Sequence, residues 1–264
     1  MIVNADSMQV YRELRVLTAR PSVDEEQVAP HRLYGHVPAA EAYSVSRWLR
    51  DVEAAIADAT RQGLCPIIVG GTGLYFKALT EGLSPVPPIP DEVRARWRAE
   101  AQRDPVQLYE ALRERDPAMA TRLSPSDAQR ITRALEVIDA TGVSLAEWQG
   151  RPGRPIIEIS ACERLLVARP RNDLHRRCDQ RFDAMIAMGA LDEVRALMQL
   201  DLPSDLPAMR AVGVAPLAAH LEGMLSLDEA VARAKAATRQ YVKRQETWAR
   251  KFMADWRAVR LNGN

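Results

Sequence analysis

The stretch Met1-Ile2-Val3-Asn4-Ala5-Asp6-Ser7-Met8-Gln9-Val10-Tyr11 decides how the chain folds. It reads as a short apolar strand running into a polar cluster. In an open α/β sheet, ligands bind just outside the carboxyl ends of the strands. Asp6, Ser7 and Gln9 are therefore expected on a binding rim. An aspartate there can accept a proton, and serine and glutamine can donate and accept hydrogen bonds.

A second strand-turn-helix follows the same logic. Pro66-Ile67-Ile68-Val69 is apolar, Gly70-Gly71-Thr72-Gly73 is a turn, and Leu74 to Leu79 has helical character. Glycines let a backbone approach a ligand closely, and the N–H groups that open a helix favour an anion. Thr72 is expected on the same rim as Asp6. Between the two strands, Ser44 suits a helix N-cap. Val45, Trp48, Leu49, Val52, Ala55 and Ile56 have the spacing of one helical face, and Gly63 ends that helix. His31 to Val37 reads as a weak strand.

The prolines of Ser84-Pro85-Val86-Pro87-Pro88-Ile89-Pro90 form a stiff linker, and a second break occurs at Arg151-Pro152-Gly153-Arg154-Pro155. Asp91 to Arg103, Pro105 to Arg115 and Asp127 to Thr141 between them all look helical. The expected organisation is an α/β core from 1–83 and 156–264, with a helical insert at 84–155.

Leu165-Leu166-Val167-Ala168 returns to strand character, and a helix beginning near Asp173 carries Arg177 and Arg181 on one face. The last long helix is expected from about Leu227 to Trp256. From Val231 to Lys251 it has seven cations against one acid, a local charge of +6. Lys235, Arg239 and Lys243 form a stripe, with Tyr241 and Trp248 placed to pack or stack alongside.

The totals bound the function. Hydrophobic residues make up 47%, charged residues 27%, and the formal net charge is +1. No overall attraction to nucleic acid is expected, so any such binding comes from a local patch. Cys65, Cys162 and Cys178 are far apart, with no zinc or disulfide pattern, which fits a reducing cytoplasm. No membrane span and no signal peptide are read, and the four histidines have no metal spacing. Each local feature also has a plainer reading. The glycine turn suits a tight connection, Asp6 a helix cap, and the basic helix a solvated face.

Six segments together carry a resemblance. They are Asn4 to Tyr11, Tyr43-Ser44-Val45, Gly70 to Tyr75, Asp127 to Val137 with Thr141-Gly142, Met209-Arg210-Ala211-Val212-Gly213, and Thr238 to Gln245 with Thr247-Trp248. In this order they resemble the bacterial tRNA dimethylallyltransferases, also called tRNA isopentenyltransferases. The resemblance implies an α/β parallel-sheet core like that of P-loop NTPases, with an all-helical insert. It also implies a Mg²⁺-dependent transfer from dimethylallyl diphosphate to N6 of adenosine 37 in the tRNA anticodon stem-loop. The expected setting is cytoplasmic, with the chain acting as a monomer.

Residue roles follow by resemblance. Asp6 is the general base, Thr72 lies near the diphosphate and the adenosine, and Arg181 lies near the diphosphate. Ser7, Met8 and Gln9 contact the flipped base. Gln129, Arg130, Arg133, Arg210, Gly213, Arg239, Gln240, Lys243, Arg244 and Gln245 match tRNA-contacting segments.

Two departures stand out. The family's N-terminal strand and phosphate loop ending in Gly-Lys-Ser or Gly-Lys-Thr have no counterpart in this sequence. That is one β-loop-α unit, roughly 30 residues. The expectation is that Met1 is a misplaced start and that the longer protein is the enzyme. The competing expectation is a catalytically empty tRNA-binding protein, and a nucleotide phosphotransferase is a third. The second departure follows Gly213, where Val214-Ala215-Pro216 replace the family's tyrosine and polar residue.

Overall fold

Three parallel strands set the frame, and the middle one is the stretch that opens the chain. In the computed structural model, which describes residues 1–260, β1 is Ile2–Asn4. The helix α1 (Val23–Val28) leads to β2 (His31–Arg32), and α2 (Val45–Arg61) leads to β3 (Ile67–Val69). The sheet order is β2-β1-β3, with Asn4 opposite Val69. Because β1 and β3 run parallel and in register, both carboxyl ends open on one rim. Residues two or three beyond each end, Asp6 on one side and Gly71-Thr72 on the other, therefore become neighbours.

Gly70 makes that juncture possible. A side-chain carbon there would lie 2.2 Å from the Ala5 carbonyl carbon and 2.7 Å from the Asp6 nitrogen. These are backbone atoms already fixed by Ala5 N–H donating to Val69 O at 2.7 Å and Thr72 N–H to Ala5 O at 3.1 Å. Only glycine fits where two backbones approach so closely.

α2 packs across the sheet through Trp48, Val52, Ala55 and Ala59, all buried at helical spacing. Ser44 accepts from Arg47 N–H at its start, and Gly63 follows its end with φ +67°. Trp48 stacks on Tyr75 of α3 (Gly73–Glu81), with centroids 4.3 Å apart. Its indole N–H donates to Asn4 O at 2.8 Å. The acidic Val23–Val28 stretch, which carries no apolar periodicity, is helical because Ser22 and Glu25 form a reciprocal capping box.

The chain forms two compact units. Glu81–Pro155 is one; Met1–Thr80 together with the chain from Ile156 onward is the other. The first holds α4 (Asp91–Arg103), α5 (Pro105–Arg115), α6 (Pro117–Ala120), α7 (Ala128–Thr141) and α8 (Leu145–Gly150). Its core gathers Trp97, Leu108, Leu112, Ile131, Leu135 and Val137. Buried Glu136 is flanked by Arg98 at 3.7 Å and Arg133 at 3.3 Å.

The other unit continues with β4 (Leu165–Ala168), α9 (Arg171–Ala187), α10 (Ala190–Met198), α11 (Val214–Leu221), α12 (Leu227–Phe252) and β5 (Arg257–Arg260). β4 and β5 pair in parallel as a second sheet. The last helix is shorter than its composition predicts. It ends at Phe252, and Trp256 stands outside it, just before β5. Among the described residues no helix is long and apolar enough to cross a membrane.

Asn4 is fully buried and sits where the strand turns toward the rim. Its amide donates to Asp6 O at 2.9 Å and Leu33 O at 3.0 Å, while its oxygen accepts Asp6 N–H at 2.8 Å. Asn4→Leu keeps the branched shape but leaves three part-buried backbone groups without partners. Urea unfolding is expected to show a loss of about 2–4 kcal/mol with little change in slope. An unchanged midpoint would mean that the amide does not hold this turn.

Candidate active site at the strand rim

Asp6 is held by its own backbone neighbourhood. Its Oδ1 accepts Met8 N–H at 2.8 Å and Gln9 N–H at 3.4 Å, closing a turn of the kind aspartate favours. Oδ2 makes no hydrogen bond among the described residues. It lies 3.5 Å from the point where a side-chain carbon on Gly71 would sit, so it faces the glycine turn. Burial drives the Asp6 pKa above the ordinary carboxylate value of 3.8; the two backbone N–H bonds and the charge of Arg181 oppose this without reversing it.

Thr72 joins the two strand ends. Its hydroxyl accepts Ser7 N–H at 2.9 Å and donates to the Ser7 hydroxyl at 3.2 Å. The Tyr241 phenol of α12 lies near Thr72 and Asp6. Burial, and then the Asp6 carboxylate, raise its pKa. Tyr34, after β2, also responds to Asp6, and burial with that carboxylate pushes its phenol up to about 12. The rim therefore holds one carboxylate, two aliphatic hydroxyls and two phenols, with Arg181 of α9 adding positive charge.

The other residues singled out in the sequence divide by location. Met8 is partly buried against the core. Both Gln9 amide hydrogens are engaged, by Thr18 O at 2.9 Å and Ala19 O at 3.0 Å, which leaves only its oxygen for a ligand. Arg210 is exposed at the end of a short 3₁₀ turn, Pro207–Arg210. Gly213 is buried with φ +100°, and a side-chain carbon there would meet Leu17 at 3.0 Å and Phe182 at 3.1 Å. Packing and backbone geometry alone therefore account for that glycine. Gln129 and Arg130 are exposed on α7 in the helical unit, where Arg130 pairs with Asp127 at 3.4 Å.

The basic helix carries fewer open charges than its composition suggests. Arg239 binds Asp179 of α9 through contacts of 2.6 and 2.9 Å, and Lys235 binds Asp183 of α9 at 2.6 Å. Arg171 of α9 binds Glu246 in return, at 2.6 Å. Two of the three stripe cations thus fasten α12 to α9. Lys243 is exposed without an ion pair among the described residues, as is Arg244, whose guanidinium lies 5.5 Å from the Tyr241 ring centroid. A shallow basin of about 390 Å³ between the helices is lined by Arg171, His175, Ala236, Arg239, Gln240 and Lys243. It presents hydrogen-bond donors and positive charge, the surface that backbone phosphates prefer.

Asn4 and Tyr34 were not singled out by their residue types, and Tyr241 was expected only to pack or stack beside the basic stripe. An asparagine ending an apolar strand is the only local signal among them, because an unpartnered amide is costly to bury.

The sequence signature of the IPP transferase family matches residues 9–252. A tRNA dimethylallyltransferase of Chelativorans sp. is 51% identical, over 97% of this chain and 88% of its own length. One of Rhizobium johnstonii is 52% identical, over 96% and 86%. Among solved structures, a eukaryotic dimethylallyltransferase acting on tRNA superposes with a TM-score of 0.81 at 26% identity, covering 98% of this chain and 67% of that one. The tRNA delta(2)-isopentenylpyrophosphate transferase of Staphylococcus epidermidis gives 0.64 at 27%, covering 99% and 84%.

A carboxyl whose folded pKa is raised contributes stability below its unfolded value, near 3.8, and loses that contribution as pH rises through the folded value. Asp6→Asn keeps an oxygen for the Met8 N–H and removes the half-buried charge. It is expected to be more stable than the parent at about pH 7, with the gain vanishing as pH approaches the ordinary carboxylate value. Urea midpoints across that range check this; a gain that persists at low pH would contradict it.

Proposed function

The chain belongs to the IPP transferase family, and on that premise we propose that it transfers a dimethylallyl group from dimethylallyl diphosphate to N6 of the adenosine at tRNA position 37. The observation that carries this reading is the placement of Asp6. Its carboxylate is half-buried, one oxygen is tied into a turn, and the other stands open at the rim beside Thr72 and within the field of Arg181.

The chemistry needs these groups. An aromatic amine is a weak nucleophile, so a base that takes the N6 proton while the carbon–nitrogen bond forms lowers the barrier. Asp6 Oδ2 is that base. The allylic carbon–oxygen bond breaks in the same step, and the departing diphosphate carries away the electron pair. Its growing charge is stabilised by cations and N–H donors fixed in advance. Arg181 supplies the cation on this chain. The target adenine leaves the anticodon-loop stack to reach Asp6. The Gln9 oxygen is the group placed to accept from its edge.

Mg²⁺ fits this site as a companion of the substrate. Among the described residues no three His, Cys, Asp or Glu side chains group as a metal cage. Magnesium commonly keeps several waters and binds through substrate phosphates with one or two carboxylates. When bound it would neutralise diphosphate charge. Asp6 has no oxygen left to hold it, because Oδ1 is tied to the Met8 and Gln9 N–H groups and Oδ2 takes the proton, so the ion would rest on the diphosphate itself.

The RNA side of the reading rests on the exposed cations of α12 and the basin beside it. Lys243 and Arg244 are open, whereas Lys235 and Arg239 are tied to α9 acids. Removing Lys243 and Arg244 together is expected to weaken tRNA binding and to lower the salt slope by about 1–2. Lys235→Met is expected to leave the slope nearly unchanged. Equal slopes for both variants would make α12 a solvated face.

The decisive assay is incorporation of labelled dimethylallyl into unmodified tRNA in the presence of Mg²⁺. Asp6→Ala is expected to reduce transfer by about 10²–10⁴-fold while tRNA affinity stays within about twofold. The parent rate should rise with pH through an apparent pKa above the ordinary carboxylate range, because the base acts ionised. Normal transfer by Asp6→Ala would remove Asp6 from this role.

A further inference from the structure

Gln245 lies on α12, yet its side chain reaches the glycine turn after β3. Its Nε2 donates to Gly71 O at 3.0 Å, across 174 residues of sequence. The same nitrogen stands 2.3 Å from where a side-chain carbon on Gly71 would lie, and Asp6 Oδ2 stands 3.5 Å from that point. The amide and the open oxygen of the carboxylate thus flank one glycine.

The neighbouring turns of α12 hold the same segment. Trp248 lies against Gly73, with its Cδ1 2.1 Å from where a side-chain carbon would sit. Tyr241 lies near Thr72. Positions 241, 245 and 248 share one helix face, so three side chains of α12 line the turn from Gly71 to Gly73, and Gln245 bonds to it. Gln240, Lys243 and Arg250 occupy the far, exposed side of the helix.

Resemblance alone assigns Gln245 to the tRNA surface. We infer that it is instead a positioning residue, which holds the Gly71 carbonyl and through it the relative places of Thr72 and Asp6. The physical need is clear. Gly70-Gly71 is the most flexible pair in the rim, since glycine loses the most conformational freedom on ordering. The peptide between Gly71 and Thr72 is held on both sides, its N–H by Ala5 O and its carbonyl by Gln245. A glutamate here would set a carboxylate against a carbonyl oxygen and beside Asp6, so the role requires the amide.

The kinetic arm of the test rests on the transferase reading; two other arms do not. Gln245→Met removes the donor and keeps the length. At saturating tRNA its kcat is expected to fall about tenfold, the scale of one well-placed hydrogen bond. Its tRNA Kd and salt slope should stay within about twofold of the parent. Deuterium uptake in the peptide spanning Gly70 to Leu74 should rise. Gly71→Ala, whose methyl displaces the amide, should reproduce both changes. A tenfold weaker Kd with unchanged kcat and unchanged uptake would make Gln245 an RNA contact and overturn the inference. Uptake and affinity are measured whether or not the chain turns over. Loss of transfer by the parent would therefore count against the transferase reading alone.

Discussion

The structure depends on a buried amide. Asn4 has no exposure to solvent, and it satisfies one backbone N–H and two carbonyls while its own carbonyl takes the Trp48 indole. A polar group in that position is tolerated only when its hydrogen bonds are complete. Completing them fixes the path of the chain out of β1. It ties that path to the segment after β2 through Leu33 and to α2 through Trp48. The carboxylate two residues later inherits this precision. Asp6 can be half-buried and still open at one oxygen because its backbone is held from behind.

A second constraint shapes the chemistry. The rim is built from parts distant in sequence, and each meets the others through groups whose charge or hydrogen bonding is locally matched. α9 contributes Arg181 to the rim and, through Asp179 and Asp183, acids to α12. α12 returns Glu246 to Arg171. This exchange of opposite charges aligns two helices whose other faces are basic. It divides the cations of α12 between fastening and display, so the charge count of the helix overstates what a polyanion meets. The family's substrate, a nucleic acid carrying one reactive base, asks for both properties, a rigid base-handling rim and a restrained positive surface.

Much of this was legible in residue order. β4 falls on Leu165–Ala168, where a short apolar run ends in Arg-Pro, and α5 begins at Pro105, a proline at a first helical position. The meeting of Asp6 with Thr72 followed from two strand ends sharing a rim. β5 was not legible. Arg257-Ala258-Val259-Arg260 is half charged, and it is a strand because β4 offers it a partner. Nor were the α9–α12 ion pairs, the engaged amide of Gln9, or the grip of Gln245 on Gly71. Local periodicity describes which face of an element is apolar; it does not say which distant polar group a side chain meets. The predicted extension of the last helix to Trp256 failed for the same reason. The chain leaves the helix at Met253 to supply a strand required elsewhere.

The grip of α12 on the glycine turn also imposes an order of events during synthesis. The two partners are separated by 174 residues, which at ribosomal rates of 5–20 residues per second is roughly 9–35 s. For that interval a nascent chain has its first sheet, its carboxylate and its Gly-Gly turn, but not the helix that steadies them. The site is completed only as the last long helix emerges, so a chain halted before that point holds most of the reactive groups without their arrangement. The carboxylate and the glycine turn thus precede, by most of the chain, the helix whose Gln245 and Trp248 lie against that turn.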